Sequence, residues 1–443
     1  MGHSGVWLAL SLGVMAIPAH AQSADELEIQ VLRNRLDELE QRVKVSERQK
    51  EINDEEAAAK AKTAASVTAD TTGFRVKSND GNFTLKIGAD LQVDARTFTG
   101  KGSTSLTDQL LLRRVRPTFS GTVYKFVDYY FRPDFGQGTT VIYDAYIQLN
   151  YFSRANLRVG KFKPPVSMER LQSDDDTSFV ERGLPTLLAP SRDIGFQLSG
   201  DLVKQRISYQ AGVFNGVPDN GLSDASPSNH RDYAGRIFVT PFLPTEANPL
   251  RGLGFGVGAS GGTVDGIALP GYKTVGQNTF IAFASGVTSA GHRTRLAPQA
   301  YYYAGPFGLL AEYTLTEEGF QKGAIRRDIA FRAWQVEASY ILTGEKKSFI
   351  SPTPKKAFDP KNHGWGAIEL AARVGNFRAE KGLFNYGFAD PTKSPLRDRE
   401  WVGGVNWYLN RLVRFSFDYG RSSFDVNRAP ERVILARFQL NFI

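Results

Sequence analysis

The sequence predicts an all-β fold, a 16-stranded antiparallel transmembrane β-barrel that follows an N-terminal coiled-coil helix. Residues 83 to 95 give the first reason: every second side chain is apolar or small and those between are polar, so a strand here has one apolar and one charged face. From residue 73 onward, short turns alternate with longer connections rich in Gly, Asp, Ser and Pro, which is typical of an up-and-down membrane barrel. The chain ends in another alternating segment, RVILARFQLNFI. With residues 276 to 287 assigned to a loop, the strand count is 16, an even number as in bacterial barrels.

Composition favours the membrane barrel over a soluble β-sandwich, which would show the same alternation with a second sheet against its apolar face. Aromatic residues make up 12% of the 443 residues, a share that suits aromatic girdles at the two membrane interfaces. After residue 22 no stretch approaches the roughly 20 apolar residues that a spanning helix needs, so the sequence excludes a helical membrane protein. The absence of cysteine excludes disulfides, cysteine nucleophiles and thiolate metal sites.

Residues 1 to 21 are predicted to be a signal peptide. The run WLALSLGVMAIP has the length of a signal-peptide core, and Ala19-His20-Ala21 forms an A-x-A cleavage site before Gln22. A buried helix of a cytosolic protein is the alternative for this run. The cleavage site favours export to the envelope.

Residues 22 to 55 are predicted to form a periplasmic coiled coil. Apolar residues recur at spacings of three and four, and the positions between them are crowded with Glu, Arg, Gln and Lys. The seam consists of Ile29, Leu32, Leu36, Leu39 and Val43. A single amphipathic helix packed on the barrel would give the same pattern. The following AAAKAKTAASVTAD has no apolar stripe, so residues 56 to 72 are predicted to be a linker and residues 73 to 443 the barrel.

The charge balance indicates an anionic partner. The formal net charge is +8, which suits nucleic acid, an anionic membrane surface or anionic solutes, and export argues against nucleic acid. An enzyme is not predicted, because two of the five histidines lie in the signal peptide and no phosphate loop, metal-ligand spacing or nucleophile motif is present. No cofactor or metal is predicted either.

Five stretches in this order resemble the phosphate- and polyphosphate-selective porins, the porin O/P family. They are LLLRRVRPTFSGTVYKFVDYYFRPDFG (110 to 136), DAYIQLNY (144 to 151), GKFKPPVSMERLQSDDDTSFVERGLPTLLAPSRDIGFQLSG (160 to 200), PQAYYYAGPFGLLAEY (298 to 313) and WQVEASYILTGE (334 to 345). The resemblance runs from about residue 73 to 443. It implies a trimeric, 16-stranded outer-membrane channel with one loop folded into the pore and arginines along the passage.

Side-chain parity assigns the two faces of each strand. In residues 111 to 124, Leu111 and Val115 share the lipid face, which places Arg114 and Arg116 in the lumen. Arginine facing lipid at mid-depth costs roughly 2 to 4 kcal/mol, which supports this assignment. The same reasoning along the chain places further arginines in the lumen, and Lys163 is included because it lies beside the predicted constriction loop. The predicted anion pathway consists of Arg114, Arg116, Arg132, Arg158, Lys163, Arg236 and Arg295. Asp144 is predicted as a luminal acid, and basic luminal residues outnumber acidic ones. Lys161 is predicted to face outward.

The long segment 164 to 191 is the predicted constriction loop. Its charged residues include Arg170, Arg182 and the run Asp174, Asp175 and Asp176. For that acidic run three interpretations stay open: a solvated loop tip, a divalent-cation site, or a group that repels anions. Rows of arginine suit phosphate, because the planar guanidinium stays charged and offers paired donors to phosphate oxygens.

The function predicted from the sequence and the resemblance is a homotrimeric outer-membrane porin for passive diffusion of small anions, with phosphate or polyphosphate as the first candidates. Its barrel would contact outer-membrane lipid, and its coiled coil would lie in the periplasm and reach the cell wall. Two alternatives remain open. One is a porin of the same fold with broad or cation preference, and the other is an envelope-tethering or adhesive barrel in which conductance is incidental.

Overall fold

The structure is a computed structural model that describes residues 24–443 except 71–72, 101–105, 153, 227, 244–247, 426–427 and 443. The predicted signal peptide lies outside the described residues. The chain divides into two compact units, residues 1–64 and 65–443. Within the described part, no helix is both long enough and apolar enough to span a membrane.

The first unit is one long helix, α1 (Ala24–Thr63). Helix α1 continues through residues 56–63, which were predicted to be part of a linker. The reason is composition: Ala, Glu and Lys have high helix propensity and keep a helix extended without an apolar stripe. On this helix, all five residues of the predicted seam are exposed to solvent. Leu36, for example, is 59% accessible. Self-association through that seam stays a prediction.

The second unit is a closed antiparallel barrel of 16 strands, as predicted. Its strands are β3 (Phe83–Phe98), β4 (Gln109–Val123), β5 (Val127–Asp134), β6 (Val141–Phe152), β7 (Ala155–Phe162), β8 (Asp193–Leu202), β9 (Ile207–Phe214), β10 (Asp232–Val239), β11 (Leu253–Ala268), β14 (Thr288–Ala304), β15 (Phe307–Lys322), β16 (Ile325–Ile341), β17 (Ala367–Ala379), β18 (Arg397–Tyr408), β19 (Val413–Phe424) and β20 (Glu431–Phe442). Each strand pairs with its neighbour along the chain, and β20 pairs with β3 to close the barrel.

A short hairpin precedes the barrel, with its first strand in the predicted linker and its second in the first residues of the predicted barrel segment. It consists of β1 (Ser66–Asp70) and β2 (Gly73–Lys77), which pair with each other. Strand β2 also pairs with the first residues of β3, beyond the point where β20 ends opposite Ala89. The hairpin therefore extends the barrel wall on the side of the short turns.

The alternation predicted for residues 83–95 is confirmed, since the charged face of β3 is buried and the apolar face points outward. One predicted face is wrong. The register of β3 with β4 shifts by one residue, so that Leu112 lies opposite Val93 and Leu111 lies opposite Asp94 on the luminal side. A β-bulge inserts one residue and reverses the parity beyond it. Leu110, 79% accessible, is therefore lipid-facing instead of Leu111.

The long connections fill one side of the extracellular mouth with an apolar cluster. A hairpin of β12 (Tyr272–Lys273) and β13 (Thr279–Ile281) and a helical turn, α3 (Gly382–Asn385), pack against inward-facing Phe331 and Phe377. The connection between β7 and β8, which contains the short helix α2 (Met168–Leu171), folds into the lumen.

Candidate functional site

Residues 163–192, here called the constriction loop, cross the lumen and bond to opposite walls of the barrel. Glu312 on β15 accepts hydrogen bonds from the backbone N–H groups of Met168 and Glu169, both at 3.1 Å. On the other side, Asp418 on β19 accepts one from the N–H of Val180 at 2.7 Å. Because wall side chains satisfy the loop backbone, the loop can lie buried inside the barrel.

Two glycines allow this close approach. A β-carbon on Gly258 of β11 would lie 2.1 Å from the carbonyl oxygen of Val166. A β-carbon on Gly183 of the loop would lie 1.5 Å from Oε1 of Gln335 on β16. Both distances are far below contact. A larger residue at position 258 would push the loop from the wall because the Val166 carbonyl is backbone, whereas one at position 183 would require the Gln335 side chain to turn aside.

The luminal arginines predicted as an anion row are ion-paired by the loop. Arg116 donates to Asp174 at 2.5 Å and to Asp134 at 2.7 Å. Arg132 lies 3.4 Å from Asp175, and Arg114 lies 3.5 Å from Asp174. The structure places these arginines in the lumen as predicted, but each faces a buried carboxylate. Their charge is largely neutralised within the protein.

Asp174 and Asp175 are therefore not a solvated loop tip, since both are at most 4% accessible. Burial alone would raise the pKa of Asp174, but the guanidinium groups of Arg114, Arg182 and Arg116 outweigh burial and hold that pKa well below its usual value. Asp176 is half-buried, and its carboxylate accepts the N–H of Ser351. Within the described residues no group of carboxylates and histidines has the arrangement of a metal site.

A bulge in the pairing of β5 with β6 turns Tyr143 into the lumen beside Asp144. The Tyr143 ring lies between two guanidinium groups, with Arg116 at 3.6 Å and Arg192 at 3.7 Å from its centre. Arg192 also donates to both oxygens of Asp144, at 3.2 and 3.3 Å. The predicted luminal acid Asp144 is thus inside the barrel and paired.

The two loop arginines stabilise the loop itself. Arg182 donates to Asp174 at 2.6 Å and to the carbonyl of Gln172 at 2.7 Å. Arg170 donates to the carbonyl of Thr186 at 2.6 Å. Neither side chain is left free for a solute.

Arg295 on β14 is also neutralised. It lies 2.6 Å from Asp219 and 3.0 Å from Asp232, and it is buried beneath the connection between β9 and β10. It is luminal, as predicted, but it lies away from the chamber described next.

The remaining three predicted pathway residues line one chamber of about 340 Å³ below the loop. Arg158 donates to Gln148 at 2.7 Å, and Arg236 donates to Gln299 at 2.9 Å. Lys163 donates to the carbonyl of Gln172 at 2.8 Å. In the described part of the chain, no ion pair joins any of the three to a carboxylate. We call this cavity the basic chamber.

Aromatic rings form part of the chamber wall. Tyr130 and Tyr146 stack at 5.2 Å between ring centres, and the Arg158 guanidinium lies 4.3 Å above Tyr146. Asp144 is the carboxylate in the lining, and it is paired with Arg192.

Below the basic chamber, a vestibule at the end of the short turns carries more positive charge. Its lining includes Arg158, Lys86 on β3, and Arg75 and Lys77 on β2. Asp128 is the carboxylate in the vestibule lining, and it accepts a hydrogen bond from the Thr122 hydroxyl. Arg75 and Lys77 were not predicted as luminal residues, because they lie on β2 of the hairpin that precedes the first barrel strand. Their alternation with apolar neighbours in FRVK was the available signal.

The connection between β16 and β17, residues 342–366, inserts into the lumen from the side of the short turns and supports the constriction loop. Lys347 lies 2.6 Å from Glu369 and donates to Ser178 of the loop at 2.9 Å. Gln172 donates to the carbonyl of Phe349 at 2.7 Å, and Phe349 lines the basic chamber. The loop is therefore held from below as well as from the walls.

Lys161 lies on the outer face of the barrel, as predicted from strand parity, and its cross-strand partners are Ala145 and Ile194. Its ammonium group is nevertheless buried, because it pairs with Asp224 at 2.6 Å. The connection between β9 and β10 thus covers this charge outside the barrel.

Comparison with known proteins gives a match over most of the barrel. The family described as phosphate-selective porin O and P matches residues 82–442. Porin O of Pseudomonas aeruginosa is 24% identical over 383 residues, which cover 80% of this chain and 86% of that protein.

Two solved structures with similar folds are described as an outer-membrane channel and an anion-selective porin. The channel DcaP of Acinetobacter baumannii superposes with a TM-score of 0.56 at 11% identity, covering 84% of this chain and all of that one. An anion-selective porin from Comamonas acidovorans superposes with a TM-score of 0.51 at 11% identity, covering 81% of this chain and all of that one. At these identities the likeness shows the fold.

Proposed function

The chain belongs to the phosphate-selective porin O and P family, and on this basis we propose that it is an outer-membrane channel for passive diffusion of small anions, with phosphate as the first candidate. The match spans the barrel, including the constriction loop. Passive diffusion needs neither catalysis nor a cofactor, so we assign none.

The observation that carries this proposal is the excess of positive charge below the constriction loop. The basic chamber and the vestibule are lined by Arg75, Lys77, Lys86, Arg158, Lys163 and Arg236. The same linings contain two carboxylates, Asp128 and Asp144, and Asp144 is already paired with Arg192. The surplus lies in the half of the lumen nearer the short turns, whereas the predicted arginine row above it is neutralised.

This arrangement fits a path for anions rather than a single binding site. Guanidinium groups offer paired donors to phosphate oxygens. The six cations line two successive cavities, four in the vestibule and three in the basic chamber, and Arg158 is shared by both. Several weak sites in series let an ion enter and leave, whereas one deep site would hold it.

Single-channel recording tests the proposal. In a gradient of potassium chloride the wild-type reversal potential should show anion preference, and added phosphate should reduce the chloride current. R158Q/R236Q removes two chamber charges without adding bulk, so we expect the anion preference to fall and about tenfold more phosphate to be needed for half-block. A matched control, K125Q/R154Q, removes two charges from exposed turns and should leave both readouts unchanged. A cation-preferring wild type, or a chamber variant indistinguishable from wild type, would refute the proposal.

We further propose a trimer whose subunits are joined below the membrane by α1. The seam from Ile29 to Val43 repeats at heptad spacing and is exposed in the single chain, which supports pairing with copies of the same helix. A periplasmic position, with contact to the cell wall, is part of this proposal.

A further inference from the structure

Six arginines project from the outer surface of the barrel in one row across strands β16 to β20. The row, here called the arginine belt, consists of Arg332, Arg378, Arg397, Arg399, Arg421 and Arg432. Each shares strand parity with outward-facing apolar residues. On β18, for example, Arg399 alternates with buried Asp398 and Glu400 and lies on the face of exposed Trp401.

The strand register places five of these arginines directly opposite one another, in one group of three and one pair. Arg332 lies directly opposite Arg378, and Arg378 lies opposite Arg397. Arg421 lies opposite Arg432 in the next pair of strands. Neighbouring strands are about 4.8 Å apart, and like charges directly opposite one another destabilise a sheet. A row of this kind needs a compensating anion.

Nothing in the described part of the chain supplies that anion. No ion pair joins any belt arginine to a carboxylate, and the Nε atoms of Arg397 and Arg421 are buried without a hydrogen-bond partner. Arg332, Arg378, Arg399 and Arg432 are exposed. By contrast, the luminal residues Arg116, Arg132 and Arg437 each pair with a buried carboxylate.

The belt lies at the depth of lipid headgroups. On β16, β18 and β19, an aromatic residue stands two positions further toward the short turns. These residues are Trp334, Trp401 and Tyr419, and the rings of the last two lie 5.3 Å apart. Tryptophan and tyrosine mark the boundary between hydrocarbon and headgroups in membrane barrels. The belt is on the side of the long connections, which is the extracellular side.

We propose that the arginine belt binds the phosphate groups of lipid headgroups in the outer leaflet. Guanidinium groups pair with phosphate in two-pronged contacts, and each basic residue at a charged membrane surface adds to the attraction. The other half of the same rim differs, since Leu110, Leu112 and Ile142 are 79%, 54% and 41% accessible there. An apolar rim suits burial against a copy of the chain, whereas six unpaired cations suit anionic lipid.

The test measures binding of lipid A, a doubly phosphorylated glycolipid, to the purified full-length protein in uncharged detergent. The first comparison needs no variant: wild type should bind lipid A at least tenfold more tightly than the same lipid without phosphates. The second compares R399Q/R421Q/R432Q with wild type and with K125Q/R154Q/K204Q, which removes three charges from turns at the opposite rim. We expect the belt variant to lose at least tenfold in affinity and the control to stay within about twofold.

Equal binding of the dephosphorylated lipid by wild type would overturn the proposal whatever the variants do. So would a belt variant that binds lipid A like wild type. Cross-linking of the same samples identifies the rival explanation. If the belt variant loses its oligomer while its lipid A affinity is unchanged, the belt is a contact between copies and the lipid proposal is wrong.

Discussion

Arg437 on β20 and Asp94 on β3 form a two-pronged ion pair across the seam where the barrel closes. Nε donates to Oδ1 at 2.7 Å and Nη2 donates to Oδ2 at 2.8 Å, and neither side chain is accessible to solvent. The two residues are direct cross-strand partners. The last strand is thus joined to the first by a luminal charge pair as well as by its backbone.

This pair predicts a specific loss of stability. Removing one partner of a buried ion pair leaves an uncompensated charge and typically costs about 3 to 5 kcal/mol. We expect R437Q to lower the free energy of unfolding by that order, measured by urea titration of the barrel in lipid vesicles. D94N/R437Q removes both charges and should recover part of the loss, and the outward-facing F438L should cost much less. A loss below about 1 kcal/mol for R437Q would show that the seam does not depend on the pair.

The neutralised arginine row predicts a gain of anion preference when the loop loses its charge. D174N/D175N keeps the shape of both side chains but removes the two loop carboxylates that face Arg114, Arg116 and Arg132. We expect the anion-to-cation permeability ratio to rise about twofold or more in bilayer recordings. D176N is the control, because Asp176 bonds to the N–H of Ser351 rather than to an arginine in the row. An unchanged ratio would mean that ions pass elsewhere.

The strand pattern could be predicted because its cause is local. Alternation from Phe83 to Ala95 follows from one face touching lipid and the other lining the lumen, and the closed barrel of 16 strands followed from counting such segments. The luminal position of Arg116 and Arg132 followed from the same parity.

The partners of those arginines could not be predicted, because they come from distant parts of the chain. Asp174 and Arg116 are in contact although 58 positions separate them in the sequence. Strand parity shows which side chains face the lumen, but it does not show which loop residue contacts each of them. The β-bulges could not be predicted either, because those near Arg113 and Tyr143 add one residue without a recognisable motif. Each bulge turns into the lumen a side chain that strict alternation places on the outer face.

The exposed seam of α1 predicts dependence of the oligomer on apolar residues. L32K/L39K places charges in the seam, and we expect the cross-linked trimer fraction of the full-length protein to fall at least severalfold. N34K/Q41K adds the same charges at the same spacing on the opposite face of the helix and should leave that fraction unchanged. Equal effects of the two variants would show that the seam does not join copies.

The lowered pKa of Asp174 predicts how the channel responds to acid. A carboxyl whose folded pKa is depressed contributes its full stabilisation above the pKa of a free aspartate, about 3.9, and loses that contribution as the pH falls through the lower folded value. We expect the pairing of Asp174 to persist in wild type from pH 7 down to about pH 4, so that wild type and D174N differ in loop fluctuations throughout this range. D174N should fluctuate already at pH 7. Equal fluctuations of wild type and D174N at pH 7 would contradict the strong pairing of Asp174.

The contact of Gly258 with the constriction loop predicts that the width of the pore depends on the absence of a side chain at position 258. A β-carbon at this position would overlap the carbonyl of Val166, which is backbone and cannot rotate away, so G258V should displace the start of the loop from β11. The loop is held elsewhere by Asp418 and Glu312, so we expect a folded barrel with an altered constriction and a conductance changed by about twofold or more.

Gly261, three residues along the same strand, provides a matched control, because no atom lies within 4 Å of the position that its β-carbon would take. G261V adds the same β-branched residue to β11, and it should therefore leave the conductance at the wild-type value. Heat-modified mobility in gels verifies that both variants are folded. If G258V conducts like G261V, the loop does not rest on β11 in the membrane. If both variants change the conductance alike, the effect belongs to the strand rather than to the contact with Val166.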